Sequence, residues 1–313
     1  MKQNNVTGVV VGSLNMDLVV TGENIPKPGE TLSANHFTTI PGGKGANQAV
    51  ACANLGANIK MVGRVGNDNF GKELKESLSL HNIDDSFVLV DKEASTGVAL
   101  ISVDKYGENS ISAVYGANMS FPEEQFKVAK ESLKGADFLL LQNEVPLELN
   151  ISIAKYAKSK NIPVFWDPAP SNDESIGIME FCSYLTPNSI EAEKITGLNI
   201  KTPEQAVQAC EAISRSYPEV IPLITLNKEG VAVFFDSNSK IIKGFEVDVI
   251  DTIGAGDAFI AGLAISIAEG NNFLDACNFA NASAALSVTE QGAQTAMPNR
   301  NNVENFLRTF IKS

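Results

Sequence analysis

Histidines, cysteine pairs and long apolar runs are scarce in this sequence of 313 residues, and each scarcity argues against a class of function. The chain contains two histidines and four cysteines, and no two cysteines form a CxxC pair. A zinc site is therefore not expected. Cys52, Cys182, Cys210 and Cys277 lie far apart in the sequence, three of them in helical patterns. This arrangement predicts reduced core thiols in a cytoplasmic protein.

Apolar runs and basic residues are equally limited. No run reaches the length of about 18 apolar residues that a membrane-spanning helix needs. The early apolar run Val9–Val11 is too short for a signal peptide. Lys and Arg number 24 against 37 Asp and Glu, which gives a formal net charge of −13. We therefore expect neither nucleic acid nor an anionic membrane as a partner, and local groups must hold any anionic ligand.

Strand-like and helix-like patterns alternate along most of the chain. Short continuous apolar runs such as Gly8–Gly12 and Asp137–Leu141 are typical of buried parallel strands. The segments between such runs have the apolar spacing of helices. This alternation predicts an α/β fold, a mostly parallel Rossmann-like sheet with helices on both faces. Ligands are then expected at the carboxyl ends of the strands.

Two segments interrupt this alternation. Residues 15–40 and 95–118 contain short alternating runs and turns that are typical of β-hairpins. We interpret them as one small sheet that projects from the main domain and closes over a site. The alternative is a pair of edge hairpins with no gating role. We therefore predict one domain over residues 1–313 with a β lid, and the exposed strand edges of the lid favour a homodimer through it.

The most informative stretch is Asp251–Phe259, with the sequence Asp-Thr-Ile-Gly-Ala-Gly-Asp-Ala-Phe. It lies between a predicted strand, Gly244–Ile250, and a predicted helix, Ala258–Glu269. The first N–H groups of a helix lack partners within the helix and carry partial positive charge, so this turn would cradle a phosphate. Asp257, beside that anion site, would accept the proton of an attacking hydroxyl. Taken alone, a glycine turn with a capping aspartate explains the same residues.

A second glycine-rich stretch, Pro41–Ala49, precedes a helix that is predicted from near Lys44 to Gly56. Its glycines and lysine do not have the spacing of a P-loop. Two adjacent glycines suggest that the backbone contacts a ligand, and we expect a hydroxylated one, with Asn47 pointing from the first turn. A tight loop without a ligand is the alternative.

Polar side chains follow several predicted strands. Asn15 and Asp17 are two residues apart and so share one face of a continuing strand, where an amide and a carboxylate suit the vicinal hydroxyls of a sugar. A polar strand end without a ligand is the alternative. Asn188 and Glu191 have the spacing of a capping box, which explains them structurally. The candidate residues at strand ends or helix starts are Asn15, Asp17, Asn47, Glu144, Asn188 and Asp257.

The two glycine-rich stretches, Gly42–Gln48 early and Asp251–Phe259 late, resemble the two signatures of the ribokinase-like (PfkB) carbohydrate kinases. The resemblance covers nearly the whole chain, including the lid, and Gly12–Asp17 and Gln142–Glu144 also match. It implies the ribokinase-like fold and transfer of the γ-phosphate of ATP to the 5-hydroxyl of D-ribose, which gives D-ribose 5-phosphate and ADP. Phosphorylation of 2-deoxyribose, or of another sugar or nucleoside, is the alternative within the family.

The resemblance also implies a role for individual residues. Asp257 would be the catalytic base, and the N–H groups of Gly254, Ala255 and Gly256 would form an anion hole for the transferred phosphoryl group. The residues implied to hold the sugar are Asn15, Asp17, Gly43, Lys44, Asn47, Glu144 and Asp257. The residues implied to meet ATP are Asn188, Thr225, Asn227, Gly230, Gly256 and Asn281.

Two cations are implied by the same resemblance. Asn188 and Glu191 match a motif linked to Mg²⁺ and phosphate positioning, with Glu191 acting indirectly. A monovalent cation site for an activating K⁺ would use mostly main-chain carbonyls. The residues implied for this potassium site are Asp251, Ile253, Ser287, Glu290, Gly292 and Ala296.

Two positions depart from the family pattern or complicate it. Asn227 stands where the family usually has glycine, and asparagine tolerates a left-handed backbone better than most residues. Met16 lies between Asn15 and Asp17, so its side chain should point to the opposite face of the strand. A bulky apolar side chain close to the sugar O2 would instead favour 2-deoxyribose.

Two other classes of function fit the sequence less well. A Rossmann dehydrogenase requires GxGxxG after the first strand, and this chain has Gly12-Ser-Leu-Asn15 there. A non-catalytic sugar-binding regulator would be expected to lose the base, yet Asp257 and its glycines are present.

Overall fold

The computed structural model describes residues 6–311, and in these residues strands and helices alternate as predicted. The strands are β1 (Thr7–Val11), β2 (Asn15–Thr21), β3 (His36–Gly42), β4 (Asn58–Gly66), β5 (Val88–Asp91), β6 (Gly97–Val103), β7 (Asn109–Val114), β8 (Phe138–Leu141), β9 (Val164–Trp166), β10 (Tyr184–Leu185), β11 (Ile221–Thr225), β12 (Val231–Phe235) and β13 (Asn238–Ile242). The α-helices are α1 (Lys44–Asn54), α2 (Asn69–Leu80), α3 (Glu123–Ser132), α4 (Leu147–Ser159), α5 (Ser189–Thr196), α6 (Pro203–Ser216), α7 (Ala255–Ala268), α8 (Phe273–Ser287) and α9 (Arg300–Ile311).

The main sheet has nine strands in the order β13-β12-β11-β10-β9-β8-β1-β4-β5. Pairing is parallel from β5 to β11, and β12 and β13 add an antiparallel hairpin at one edge. The predicted α/β fold with a mostly parallel sheet is therefore confirmed. The chain first leaves β1 toward β4 and later returns to its other side as β8. This change of direction opens a crevice at the carboxyl ends of the strands.

Helices cover both faces of this sheet because its central strands are apolar on both sides. Val10 of β1 belongs to a buried cluster that also contains Ile260 of α7. Its neighbours Val9 and Val11 belong to a second cluster on the opposite face, together with Ile153 of α4. Alternate residues thus pack against opposite layers, as the period of two in a strand requires. Helix α7 is almost fully buried, which explains why its sequence is apolar all round.

A separate four-stranded sheet has the order β3-β2-β6-β7, and it is built from the two segments that interrupt the alternation. Strand β2 pairs with β3 antiparallel and with β6 parallel. Ala99 and Ile101 on one face are buried. Phe37 and Leu100 on the other face are 65% and 51% exposed. The small sheet therefore has one buried face, and around Phe37 and Leu100 its other face is apolar and exposed.

The prediction of a strand over Gly244–Ile250 is wrong. These residues form an irregular segment after β13, with no strand pairing. Its apolar side chains alternate because several of them line a cleft, which imitates the pattern of a half-buried strand. The following helix begins at Ala255 rather than Ala258, so Asp257 lies inside its first turn. Gly254 is the N-cap residue and has a φ of 80°, a left-handed conformation that suits glycine.

Two smaller expectations are met. Asn227 has a φ of 51°, so asparagine does adopt the left-handed backbone at this position. All four cysteines are buried with free thiols, and burial raises the pKa of Cys210 and of Cys277 to about 12.

Within residues 6–311, no helix combines the length and the apolar character that a membrane crossing requires.

Candidate active site

The two glycine-rich stretches meet at the carboxyl ends of the central strands. Asn47 of α1 donates a hydrogen bond from Nδ2 to Oδ2 of Asp257, over 3.2 Å. Gln48 donates from Nε2 to the other carboxylate oxygen, Oδ1, over 3.0 Å. Asp257 is only 3% exposed. Residues more than 200 positions apart in the sequence therefore fix one buried carboxylate from both sides.

Two charged side chains face Asp257. The Lys44 ammonium lies 3.9 Å from Asp257 Oδ1 and 3.1 Å from Asp167 Oδ2. Burial raises the pKa of Asp257 to about 6, with Lys44 lowering it and Asp167 raising it. Burial alone would lower the pKa of Lys44, but the carboxylates of Asp167, Asp257 and Glu144 more than offset this and raise it. Asp257 is thus a carboxylate that is ionised near neutral pH but basic enough to take up a proton.

The N-terminus of α7 presents main-chain donors beside this carboxylate. The Ala255 N–H makes a long bond of 3.4 Å to the carbonyl of Thr252. Among the described residues, the N–H groups of Gly256 and Asp257 have no main-chain acceptor. A Cβ atom added at Gly256 would meet no protein atom within 4 Å. The helix end therefore opens onto space in which an anion could approach the backbone, as a phosphate site requires.

That space continues into a cleft of about 600 Å³, a volume typical of small-molecule sites. Lys44, Asp167 and Asp257 contribute its charged wall, and Phe245 and Val247 contribute an apolar wall. Predicted site residues that line the cleft are Lys44, Asn188, Glu191, Thr225, Asn227, Gly230, Gly254, Ala255, Gly256, Asp257 and Asn281. The cleft thus combines a polar end, an N–H cradle and an apolar end, which matches the parts of a nucleoside triphosphate.

Asn281 has a structural contact as well. Its Nδ2 donates to the carbonyls of Ile242 and Lys243 over 3.3 and 3.1 Å. These residues end β13 and begin the irregular segment that carries Phe245. Asn281 therefore holds the apolar wall of the cleft in place from α8.

Asn188 and Glu191 form the capping box that their spacing predicts. The Glu191 N–H donates to Asn188 Oδ1 over 2.9 Å, and the Asn188 N–H donates to Glu191 Oε2 over 2.8 Å. Burial and the nearby charge of Asp167 raise the pKa of Glu191. Both residues also face the cleft, so the structural role does not exclude a second one.

On the side of the small sheet, Asn15 and Asp17 lie on one face of β2. Asn15 is 4% exposed, and its Oδ1 accepts a hydrogen bond of 2.8 Å from Asn118 Nδ2. Burial and the charge of Glu144 raise the pKa of Asp17 to about 7. A Cβ atom at Gly42 would lie 2.3 Å from Asp17 Oδ2, so only glycine fits opposite this carboxylate.

Glu144 anchors the start of α1. Its Oε2 accepts the N–H of Lys44 over 3.0 Å and also the hydroxyl of Ser13. Gly43, the N-cap residue, has a φ of 89°, which glycine adopts without strain. The carboxylate of Glu144 therefore sits at the positive end of a helix and within electrostatic range of Asp17.

Met16 points away from this group of polar side chains. It is 1% exposed and belongs to the core cluster of the main domain. Its bulk is therefore directed to the opposite face of β2, as the alternation of a strand predicts. The geometric argument for 2-deoxyribose does not apply to this side chain.

The loops predicted for a potassium site lie side by side. Asp251 Oδ1 accepts the N–H of Ile253 over 3.0 Å, and its Oδ2 accepts the N–H of Gly292 over 2.9 Å. The Ile250 N–H also bonds to the carbonyl of Val288 over 2.8 Å. Carboxylate and carbonyl oxygens of these two loops are the kind of ligand that a hard monovalent cation prefers.

No dedicated cage for a divalent metal is present in residues 6–311, in which no three or more His, Cys, Asp or Glu side chains are arranged to hold an ion. Besides Asp257, the acidic side chains that face the cleft near Lys44 are those of Asp167 and Glu191. This arrangement fits Mg²⁺ that arrives with substrate phosphates and keeps its waters, with protein carboxylates in supporting contact.

Sequence reasoning missed several side chains of this site. Gln48 and Gln142 lie within the matched motifs without a predicted role of their own, and no role was predicted for Asp167. Asp167 obeys the same rule as Glu144, because both follow parallel strands that end at one edge of the sheet. Asn118 and Phe245 carry no such signal. Asn118 reaches the site from a short 3₁₀ turn, and Phe245 from the irregular segment.

Comparison with known proteins supports this arrangement of motifs. The sequence model of the pfkB family of carbohydrate kinases matches residues 7–300. A ribokinase of Bacillus subtilis is 40% identical over 298 residues, covering 95% of this chain and 98% of the relative. A ribokinase of Haemophilus influenzae is 38% identical over 301 residues, covering 96% and 98%. The solved structure of Arabidopsis thaliana ribokinase complexed with ribose and ATP has a TM-score of 0.86 at 33% identity, covering 98% of this chain and 99% of that one.

Proposed function

This chain belongs to the pfkB family of carbohydrate kinases, and we propose that it works as a ribokinase through the site at Asp257. It is an ATP-dependent enzyme that phosphorylates D-ribose. The observation that carries the proposed site is the position of Asp257. One buried carboxylate with a raised pKa lies in the first turn of a helix whose N–H groups open onto a ligand-sized cleft.

Asp257 takes the proton of the sugar 5-hydroxyl as that oxygen forms a bond to the γ-phosphorus of ATP. The bond between this phosphorus and the β–γ bridging oxygen breaks, and ADP leaves with the electron pair. The N–H groups of Gly254, Ala255 and Gly256, together with that of Asp257, stabilise the charge that develops on the transferred group. The Lys44 ammonium balances the negative charge of Asp257 and of the phosphates, against the net charge of the protein.

The sugar is held between the small sheet and the start of α1. Asp17 and Asn15 face it from β2, and their carboxylate and amide groups suit vicinal hydroxyls. The main chain of Gly43 and the carboxylate of Glu144 complete this side. Asn47 also contributes to this side, because its Nδ2 donates one N–H to Asp257 and its Oδ1 accepts from Gln294, which leaves a second N–H for a sugar hydroxyl.

ATP occupies the cleft with its phosphates at α7 and its base against the wall that contains Phe245. Thr225, Asn227 and Gly230 line the same cleft from the β11–β12 turn. Asp167 and Glu191 would support a Mg²⁺ ion bound to the phosphates, and that ion would supply neutralisation of their charge. K⁺ bound between the loops of Asp251 and Gly292 would hold the N-terminus of α7 in place.

We further propose that residues 1–313 form one kinase domain in which residues of about 15–40 and 95–118 act as a lid. The exposed apolar face of this lid, which includes Phe37 and Leu100, supports a homodimer formed through the lids. The free, buried thiols support a reducing, cytoplasmic location.

A coupled assay of ADP release tests the proposed function. Ribose, 2-deoxyribose, fructose and a nucleoside would be compared with Mg-ATP, with and without K⁺. The highest kcat/KM is expected for ribose, and ³¹P NMR should identify the product as the 5-phosphate. A clear preference for another acceptor would replace the assigned substrate, and absence of turnover with every acceptor would favour a non-catalytic sugar-binding protein.

A further inference from the structure

Two buried glutamines connect the base to the interior of the sheet, and the proposed reaction gives them no direct role. Gln48 of α1 and Gln142 after β8 are both fully buried. Gln48 Nε2 is shared between two carboxylates, Asp257 Oδ1 at 3.0 Å and Asp167 Oδ2 at 3.2 Å. Gln48 Oε1 accepts a hydrogen bond of 2.6 Å from Gln142 Nε2.

These contacts allow only one orientation of the Gln48 amide. Two carboxylate oxygens can only accept, so they require the NH₂ end of Gln48. The Oε1 end must then face Gln142, which has to present its own NH₂ group. The main-chain carbonyl of Gln142 accepts a 2.6 Å bond from Asn150 Nδ2, which ties this residue to α4.

The packing around Gln142 is tight enough to hold it there. A Cβ atom at Gly12 would lie 2.0 Å from Gln142 Oε1 and 2.7 Å from the Cα of Gly45. Gly12 therefore provides the space that this side chain occupies. Gln142 Oε1 itself is buried and has no partner among the described residues, so the residue makes its side-chain contact through the NH₂ group alone.

We propose that Gln48 is a positioning residue for the phosphoryl transfer, with its amide locked in one orientation by Gln142 so that it fixes the carboxylate of Asp257 and separates it from Asp167. The inference rests on the proposed function of Asp257. Without the shared donor, two buried carboxylates would face each other with only Lys44 between them. Asp257 would then keep only the Asn47 hydrogen bond, so its direction toward the sugar hydroxyl would be less fixed and part of the stabilisation of its ionised form would be lost.

Gln48→Met removes the donor and the acceptor while nearly keeping the volume. A fall in kcat of about 10- to 100-fold is expected, because a base that is displaced by a fraction of an ångström loses alignment. The acid limb of the kcat–pH profile should also move to higher pH, since a hydrogen bond to the ionised form of Asp257 is lost. Gln142→Leu should change both quantities in the same direction and by less, because Gln48 remains but can rotate its amide.

Asp167→Asn should shift the acid limb of the kcat–pH profile in the opposite direction. The charge of Asp167 raises the pKa of Asp257, so its removal should move the acid limb to lower pH. The charged side chains facing Asp257 are Lys44 from α1 and Asp167 from the end of β9. Opposite shifts in Gln48→Met and Asp167→Asn would support a direct effect on the base.

Gln125→Met is the matched control. Gln125 is also buried, at 2% exposure, and its Nε2 donates to the carbonyl of Gly63 over 3.2 Å, away from the site. This variant should lose stability without a shift of the acid limb. The inference is overturned if Gln48→Met keeps the wild-type kcat and acid limb, or if Gln125→Met shifts that limb equally. An unchanged Gln142→Leu would overturn the anchoring step.

The wild-type protein and Asp257→Asn are measured first. If the wild type does not phosphorylate ribose, the proposed function itself fails, before any glutamine variant is interpreted. If it does and Asp257→Asn does not, the glutamine variants test the positioning role alone.

Discussion

The proposed sugar side and the nucleotide cleft differ in which parts of the chain form them. On the sugar side, the Asn15 side chain is held by Asn118, and Glu144 is held by Ser13 and by the start of α1. In the cleft, the phosphate cradle is main-chain N–H from α7, and the apolar wall is an irregular segment. The first kind of site is changed by altering a functional group. The second kind is changed by adding bulk to the backbone.

The largest effect is expected where the two regions meet. Asp257→Asn should lower kcat by about 1,000-fold, because a general base contributes a factor of this order. The measurement is steady-state phosphorylation of ribose at pH 8. Undiminished turnover would show that another group accepts the proton.

Stability provides the control for this variant. The folded-state pKa of Asp257 is raised to about 6 from 3.8, so its contribution to stability is present below pH 4 and is lost as the pH rises through 6. Asn at this position removes the cost of burying the charge but leaves one of the two donors, Asn47 Nδ2 or Gln48 Nε2, without an acceptor, so Tm at pH 8 should change little. A large loss of Tm would mean that the fall in kcat reports unfolding.

The second-largest effect is expected at the main-chain N–H groups at the start of α7. Gly256→Ala should lower kcat/KM for ATP by about 10- to 100-fold, because the added methyl group would enter the space beside the N–H groups of α7. The same change should leave Tm unchanged or raise it by about 1–2 °C, since alanine favours a helix over glycine.

Gly254→Ala is the contrasting variant. Gly254 has a φ of 80°, and a Cβ atom there would lie 2.9 Å from Cε of Met297, so both Tm and activity should fall. If Gly256→Ala also lowered Tm strongly, the open space at Gly256 would not be the cause of the lost activity.

The third effect tests the sugar side. Asp17→Asn should lower kcat/KM for ribose by about tenfold at pH 8, because a hydrogen bond to a charged group is weakened. In the wild type, kcat/KM for ribose should rise between pH 6 and 8 as Asp17, with a pKa of about 7, loses its proton. In the variant only the limb of Asp257 near pH 6 should remain, and a retained limb near pH 7 would assign that limb to another group.

The change in stability of Asp17→Asn relative to wild type also has a definite direction. The folded pKa of Asp17 is raised, so its contribution to stability is present below pH 4 and is lost as the pH rises through 7. Asn removes the cost of burying the ionised group. Relative to wild type, Tm of Asp17→Asn should gain about 2–4 °C between pH 5 and pH 8.

The smallest effect on chemistry is expected far from both regions, on the exposed face of the small sheet. Phe37→Ser combined with Leu100→Ser should convert the proposed dimer to a monomer, measured by sedimentation equilibrium, with kcat changed by only a few-fold. Leu80→Ser removes an apolar side chain that is 83% exposed outside this sheet and should not alter the mass. A monomeric wild type would contradict the dimer.

The same contrast explains what the sequence could predict. Parallel strands and helices have strong apolar periods, and functional side chains follow directly where the strands end, as for Glu144 after β8. Asn15 and Asp17 share one face, as the sequence predicts, because alternation in β2 is strict. These predictions depend on local sequence patterns that correspond directly to strands and helices in the folded protein.

The rest depends on contacts that no local pattern encodes. The segment Gly244–Ile250 alternates like a strand, yet it pairs with no strand and several of its side chains line a cleft. Gln48, Gln142 and Asp167 form one network only after three elements have packed together. The orientation of an amide between two carboxylates is a tertiary property.

The four buried thiols have a practical consequence. Each sits in the interior, on α1, α6, α8 or just before β10, and burial raises the pKa of each one, so little thiolate is available for attack by an alkylating reagent. Labelling by a maleimide would have to wait for an opening event that exposes the sulfur. Its rate at each cysteine would then report how often that part of the native protein opens, with the wild-type chain serving as its own probe.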